Sequence, residues 1–194
     1  MYETITTTGR TLLTEDEKLE HKLSLVNDAP AVYVGTYRKY NNGSLNGMWV
    51  DISSFDSHRE FIEFCLNLHA DEDNPELMFQ DYENFPRELY SESCLDEDAF
   101  KQIKWYAEQP RVMRAAIKDF IEEFGAEDIE SFENRYEGDF SSEEDYARQL
   151  VDTNFNLDEM LGDLAGYFDY KRYSEMLFST TCAFRNGRVF RRNS

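Results

Sequence analysis

The chain has 194 residues and carries 40 Asp and Glu against 20 Lys and Arg, a formal net charge of −20 at pH 7. That sign excludes direct binding to nucleic acid or to an anionic membrane, because the excess of Lys and Arg that neutralises phosphates is missing. With 15 Phe, 12 Tyr and 2 Trp in a hydrophobic fraction of 41%, the chain is far richer in aromatic residues than acidic disordered sequences, so a packed core is expected.

Residues 1–14 are Thr-rich with no apolar segment of the secretory kind, and no stretch reaches the roughly 18 apolar residues of a membrane span. A cytoplasmic, soluble protein is the expectation. Thr14-Glu15-Asp16-Glu17 reads as a capping box before Leu19, Leu23 and Val26 at helical spacing, which predicts a short helix before Pro30. Residues 31–37 (AVYVGTY) and 48–52 (MWVDI) are β-branched and aromatic and flank Asn42-Gly43 and Asn46-Gly47, predicting a strand, a polar loop and a returning antiparallel strand. Ser57-x-x-Glu60 opens a helix with Phe61, Phe64, Cys65 and Leu68 on one stripe, and residues 76–82 (ELMFQDY) add a third strand.

Beyond Pro86 the period becomes helical. Phe100, Ile103 and Ala107 mark one helix ended by Pro110, and Ile117, Phe120, Ile121 and Phe124 mark a second stopped by Gly125. Ile129, Phe132 and Tyr136 suggest a third, closed by Gly138. Ser142-x-x-Asp145 opens a further helix, residues 157–168 continue at helical spacing through two glycines, and a last helix near 170–177 leads into a hairpin around Asn186-Gly187. The predicted fold is α+β, an elongated chain of three small modules: an N-terminal extension 1–29, an α+β module with an antiparallel sheet over 30–86, a central acidic helical module over 87–138, and a C-terminal α+β module ending in a β-hairpin over 139–194.

The charge is unevenly placed. From Asp51 to Tyr146, 28 acids stand against 8 bases, whereas residues 147–194 hold 6 against 7. A general pressure for solubility acidifies every surface, so this segregation argues for a positioned negative face. Its candidate members are Asp71, Glu72, Asp73, Glu76, Asp81, Glu83, Asp96, Glu97 and Asp98, followed by Glu108, Asp119, Glu122, Glu123, Glu127, Asp128, Glu130 and Glu133, the last eight assigned to the outer faces of the central helices. Taken singly, an acidic run usually marks a loop or a helix start. Their number in one segment is what that bland reading leaves unexplained.

No chemistry of another kind is anchored. His21, His58 and His69 share no metal spacing and read as surface or boundary residues; Cys65, Cys94 and Cys182 lack a Cys-x-x-Cys and read as buried small hydrophobes in a reducing compartment. The run starting at Asp71 fails as a calcium loop, having Glu76 where Gly is required and Tyr82 at position twelve. Phosphate loops and nucleophile elbows are absent, so neither an enzyme nor a cofactor or metal is indicated.

The words AVYVGTYRKYNNGSLNGMWVDI (31–52), FQDYENFP (79–86), YEGDFSSEEDYARQLVD (136–152), LGDLAGYFDYKRY (161–173) and NGRVFRR (186–192) resemble, in collinear order, the ArdA antirestriction proteins. The resemblance implies a homodimer made by conjugative plasmids and transposons that mimics the phosphate surface of bent double-stranded DNA and occupies the DNA-binding groove of type I restriction-modification enzymes. The family's antirestriction motif, near the dimer contact, falls at about 156–169, and its apolar pattern carries over to Leu161, Leu164, Tyr167 and Phe168. DNA presents one charge per roughly 1.7 Å of axis, so two such chains match the charge of about 70 Å of duplex. The alternatives are an acidic module that binds another basic DNA-binding protein, and a divalent-cation buffer.

Overall fold

A computed structural model describes residues 13, 14, 16 and 28–192; the helix expected after Thr14 falls outside these residues. The chain divides into two compact units between Arg114 and Ala115.

In the first unit, β1 (Ala31–Thr36) is the central strand of an antiparallel sheet of order β2-β1-β3, with β2 (Met48–Asp51) and β3 (Leu77–Glu83) at its edges. Val32 stands opposite Val50, and a bulge between Tyr33 and Val34 shifts the pairing with β3 so that Val34 faces Phe79. The expected strand pair is present. Between its strands, where only a polar loop was expected, lies a short helix, α1 (Tyr37–Asn41), because the Thr36 hydroxyl accepts from the Lys39 amide and caps it. Ser57 caps α2 (His58–Leu68) through the Glu60 amide, and Asp96 caps α3 (Glu97–Glu108) through Ala99. The stripes they bury meet the sheet: Phe61 lies 6.0 Å from Phe79 and 5.8 Å from Phe100 between ring centroids. Burying a ring of this size stabilises by about 1.5–3 kcal/mol.

Helix α4 (Arg111–Phe124) contains the boundary between the units. In the second unit, β4 (Tyr136–Asp139), β6 (Arg188–Arg191) and β5 (Cys182–Arg185) form an antiparallel sheet in that order. Asn186 and Gly187, at φ +50° and +84°, make the tight turn that this dipeptide predicts. Aromatic rings join helix and sheet: Phe120 packs at 5.6 Å on both Phe132 and Phe190. A second cluster gathers Tyr146, Ala147, Leu177, Cys182 and Val189 between α6 (Glu143–Asn154), capped by Ser142, and α8 (Tyr170–Thr180).

Three expectations are corrected here. The third central helix is a 3-10 helix over Ala126–Ser131 and a single α turn, α5 (Phe132–Arg135), after which Tyr136 enters β4. The 157–168 segment is a short helix, α7 (Leu157–Leu161), continued as a 3-10 helix over Gly162–Tyr167. Cys94 is exposed, whereas Cys65 and Cys182 are buried as expected.

Candidate protein-binding surface

The acidic run at 71–73 is not a uniformly solvated cluster. Glu72 is buried, and its Oε1 accepts from the Thr36 hydroxyl at 2.7 Å. The Lys39 ammonium sits 2.8 Å from Asp71 and 3.8 Å from Glu72, and it donates to Nδ1 of His69 at 2.9 Å. An ammonium has only donors. Nδ1 is therefore the bare nitrogen, and Nε2–H donates to the Val34 carbonyl at 3.3 Å. Burial, and then the Lys39 charge, hold the His69 pKa below its ordinary value, while the hydrogen bond from Lys39 holds Asp71 below the usual carboxylate range. His69, expected at a boundary, is a core residue because its neutral ring joins β1 to the 69–72 turn. Asp71, Asp73, Glu76, Asp81 and Glu83 are exposed, the last two on alternate positions of β3. Asp96, Glu97, Asp98 and Glu108 are exposed along α3, with Asp96 serving as its cap and Glu97 held 2.7 Å from Lys101.

In the second unit the acids of α4 are taken up by arginines of the C-terminal hairpin. Asp119 was expected on an outer face and is buried: one oxygen accepts from Asn186 at 2.7 Å and the other is paired with Arg188. Glu122 lies 2.5 Å from Arg185, and Glu123 pairs with Arg192 at 3.2 Å and Arg185 at 3.7 Å. The cause is the hairpin, whose arginines close on this one face of α4. The near-neutral C-terminal segment is basic where it meets the acidic helix, and its charge is neutralised inside the unit.

The stretch after Gly125 behaves differently. Gly125 turns the chain at φ +96°, where any Cβ would also meet the Glu127 carboxylate at 2.6 Å. From Ala126 onward burial repeats every three residues. Ile129, Phe132 and Arg135 are buried; Glu127, Glu130 and Glu133 are exposed; Asp128 and Ser131 are intermediate. A 3-10 helix has three residues per turn, so positions three apart eclipse and lie about 6 Å apart along the axis. Glu127 and Glu130 share one outer edge of the 3-10 helix, Glu133 follows in α5, and all three are exposed and make no ion pair among the described residues. Asp128 belongs to another edge, 3.1 Å from Arg135.

Of the residues expected at a dimer contact, Leu161, Leu164 and Tyr167 are 40%, 65% and 85% exposed. Phe168 is half-buried, edge-on to Tyr170 at 4.9 Å. Phe155 and Met160, also exposed, extend the apolar patch. A cleft of about 860 Å³ beside it is lined by Arg148, Asp152, Phe155, Phe168 and Tyr170, with Arg148 stacked 4.0 Å above the Tyr170 ring. Nothing in their spacing distinguished Phe155 and Met160 from core residues.

The second unit thus combines exposed carboxylates after Gly125, arginines paired to the acids of α4 and a solvent-exposed apolar patch. A family model described as antirestriction protein (ArdA) matches residues 32–189. The chain belongs to the ArdA antirestriction family. A comparison with curated proteins gives no match. Membership makes this ArdA chain an antirestriction protein and implies interaction with restriction enzymes. The matched region begins within β1, ends within β6 and holds the 126–134 stretch and the whole apolar patch. Among the described residues, no helix is long and apolar enough to cross a membrane, and no group of three His, Cys, Asp or Glu converges as metal ligands.

Proposed function

We propose that this ArdA chain blocks type I restriction-modification enzymes by presenting carboxylates where duplex DNA presents phosphates, so that it and DNA compete for one groove in the methyltransferase core. The observation that carries the reading is that Glu127, Glu130 and Glu133, beyond Gly125, are all exposed and without ion pairs among the described residues. DNA carries one charge per about 3.4 Å of axis on each strand, and the winding phosphate path spaces those charges further apart along the strand itself. Glu127 and Glu130, one 3-10 turn apart, step by about 6 Å along the axis, which is commensurate with such a path. Asp81, Glu83, Asp98 and Glu108 extend the exposed set, whereas Asp119, Glu122 and Glu123 hold the hairpin and Glu72 holds Thr36.

A groove that binds DNA is lined with Lys and Arg, and a carboxylate surface entering it releases counterions as DNA does, giving salt-sensitive affinity and steered association. The exposed Leu161, Leu164 and Tyr167 patch, enlarged by Phe155 and Met160, fits a two-fold contact between copies of the chain. On this reading the protein works in the cytoplasm of a bacterium that hosts a mobile element.

The test is a binding titration of the Glu127→Gln, Glu130→Gln, Glu133→Gln triple variant against a type I methyltransferase core. Exposed ion pairs contribute about 0.2–1 kcal/mol each, so about a tenfold loss of affinity is expected with an unchanged melting temperature. Unchanged affinity would remove this edge from the contact.

A further inference from the structure

Helix α1 is only five residues long, and Arg38, Tyr40 and Asn41 on it face solvent. A helix this short does not hold itself in water, so its stability comes from what ties it down. At its start the Thr36 hydroxyl caps it and donates to the buried Glu72 carboxylate at 2.7 Å, and the Tyr37 amide donates to the Glu76 carbonyl at 3.1 Å. Further along, the tether is Lys39. Its ammonium reaches His69 at 2.9 Å and Asp71 at 2.8 Å. Its carbonyl accepts from the Asn42 and Ser44 amides at 3.1 and 2.9 Å, which closes the helix and begins the 42–47 loop.

The contact between Lys39 and His69 carries a proton condition. It exists only while Nδ1 is bare, because protonation sets N–H against N–H and an ammonium offers no lone pair. Two cations in contact at a buried site repel strongly. The charged groups facing the ring are Lys39 from α1 and Asp71 and Glu72 from its own turn, while β1 presents the Val34 carbonyl to Nε2. The two carboxylates stabilise an imidazolium as they do an ammonium. Lys39, at 15% exposure, has the route to water that the ring, at 2%, lacks. A solvent proton on His69 therefore displaces the Lys39 side chain, and not the reverse.

We infer that His69 and Lys39 form a proton-operated latch on α1: the neutral imidazole holds the Lys39 ammonium and with it the end of α1, whereas protonation of Nδ1 gives Asp71 and Glu72 to the imidazolium, frees Lys39 and opens the 39–44 stretch with the sheet intact. Burial and the Lys39 charge, which hold the His69 pKa below its ordinary value, keep the latch closed at neutral pH. The proton comes from solvent, and no bond other than N–H is made or broken.

Amide hydrogen exchange on the full chain, read residue by residue by NMR between pH 7.5 and 5.5, tests it, each rate being compared with the intrinsic rate at that pH. In the opened form His69 regains its ordinary pKa, so the opening constant rises by up to about tenfold per pH unit as pH falls below about 6.5. The amides of Asn42, Gly43 and Ser44 should lose protection with that slope, while those of β1 keep theirs. Equal loss of protection in β1 would show a stability change of the whole unit and overturn the latch, as would protection at 42–44 indifferent to pH. Lys39→Met removes the ammonium: the His69 midpoint, followed by its ring nitrogen shifts, should rise, and 42–44 should be unprotected already at pH 7.5. An unmoved midpoint, or the native pH slope at 42–44 in this variant, overturns the inference equally. Should Lys39→Met not fold, the exchange slopes of the unaltered chain decide alone.

Discussion

Two acidic stretches, separated only by Gly125, have opposite fates. Along α4, Asp119, Glu122 and Glu123 are matched by Arg188, Arg185 and Arg192 from the C-terminal hairpin. Along 126–134, Glu127, Glu130 and Glu133 face solvent, and the single arginine nearby, Arg135, lies beneath the row rather than over it. Local acid density is similar, so composition does not decide which carboxylates are offered to a partner. The decision lies in where the hairpin's arginines land. An acidic surface is built here with its own counter-charges placed on the inner side, which fixes the helix without cancelling the outward charge.

The comparison is broken most severely at Asp119. Asp119→Ala takes from Arg188 its buried partner, leaving it only the exposed Asp139, and deprives the Asn186 amide of its acceptor. Breaking a buried pair costs about 3–5 kcal/mol, and because Arg188 is partly exposed about 2–3 kcal/mol is expected. Chemical denaturation measures it. A loss below about 0.5 kcal/mol would mean that the α4 acids do not hold the hairpin.

Acid pH sharpens the contrast in the first unit, where Lys39 joins His69, Asp71 and Glu72. The folded state holds His69 below its ordinary pKa, so the unfolded chain binds the proton more readily, and stability is lost as pH falls below about 6.5. Asp71 is also depressed in the folded state; its contribution is present above the ordinary carboxylate pKa and is lost at still lower pH. Urea midpoints at pH 7.5 and 5.5 should therefore differ, and His69→Gln, which cannot titrate, should flatten this difference. The same pH dependence in the variant would assign it elsewhere.

At the apolar patch, Leu164→Glu should convert a dimer to folded monomers in sedimentation, since the residue is 65% exposed and contributes little to the core. An unchanged dimer would remove Leu164 from the contact. Smallest of all, single neutralisation of Glu130 should change affinity by at most about 1 kcal/mol and stability hardly at all, because contacts distributed over many charges add. Abolished binding from Glu130→Gln alone would point to one specific site instead of a row.

What was legible in the sequence was what is local. The Asn186-Gly187 hairpin and the caps at Ser57, Asp96 and Ser142 follow from turn and capping chemistry within a few residues. The fate of Asp119 depends on Arg188, 69 residues later, and no local pattern reports it. Ile129, Phe132 and Tyr136 are spaced three and then four apart, which is the α-helical pattern, and this spacing conceals both the 3-10 segment and the start of β4 at Tyr136. α1 was missed because it is five residues long and directly follows a strong strand signal. The placement of acid in the middle of the chain was visible; which acids point outward was not.

The central claim is that this surface takes the place of DNA. Its most direct test is equilibrium competition: the purified protein, a type I methyltransferase core and labelled duplex, titrated at several salt concentrations. Strict mutual exclusion is predicted, with the apparent inhibitor dissociation constant rising in proportion to duplex concentration and its affinity falling steeply with salt. A stable ternary complex, or affinity indifferent to salt, would contradict it.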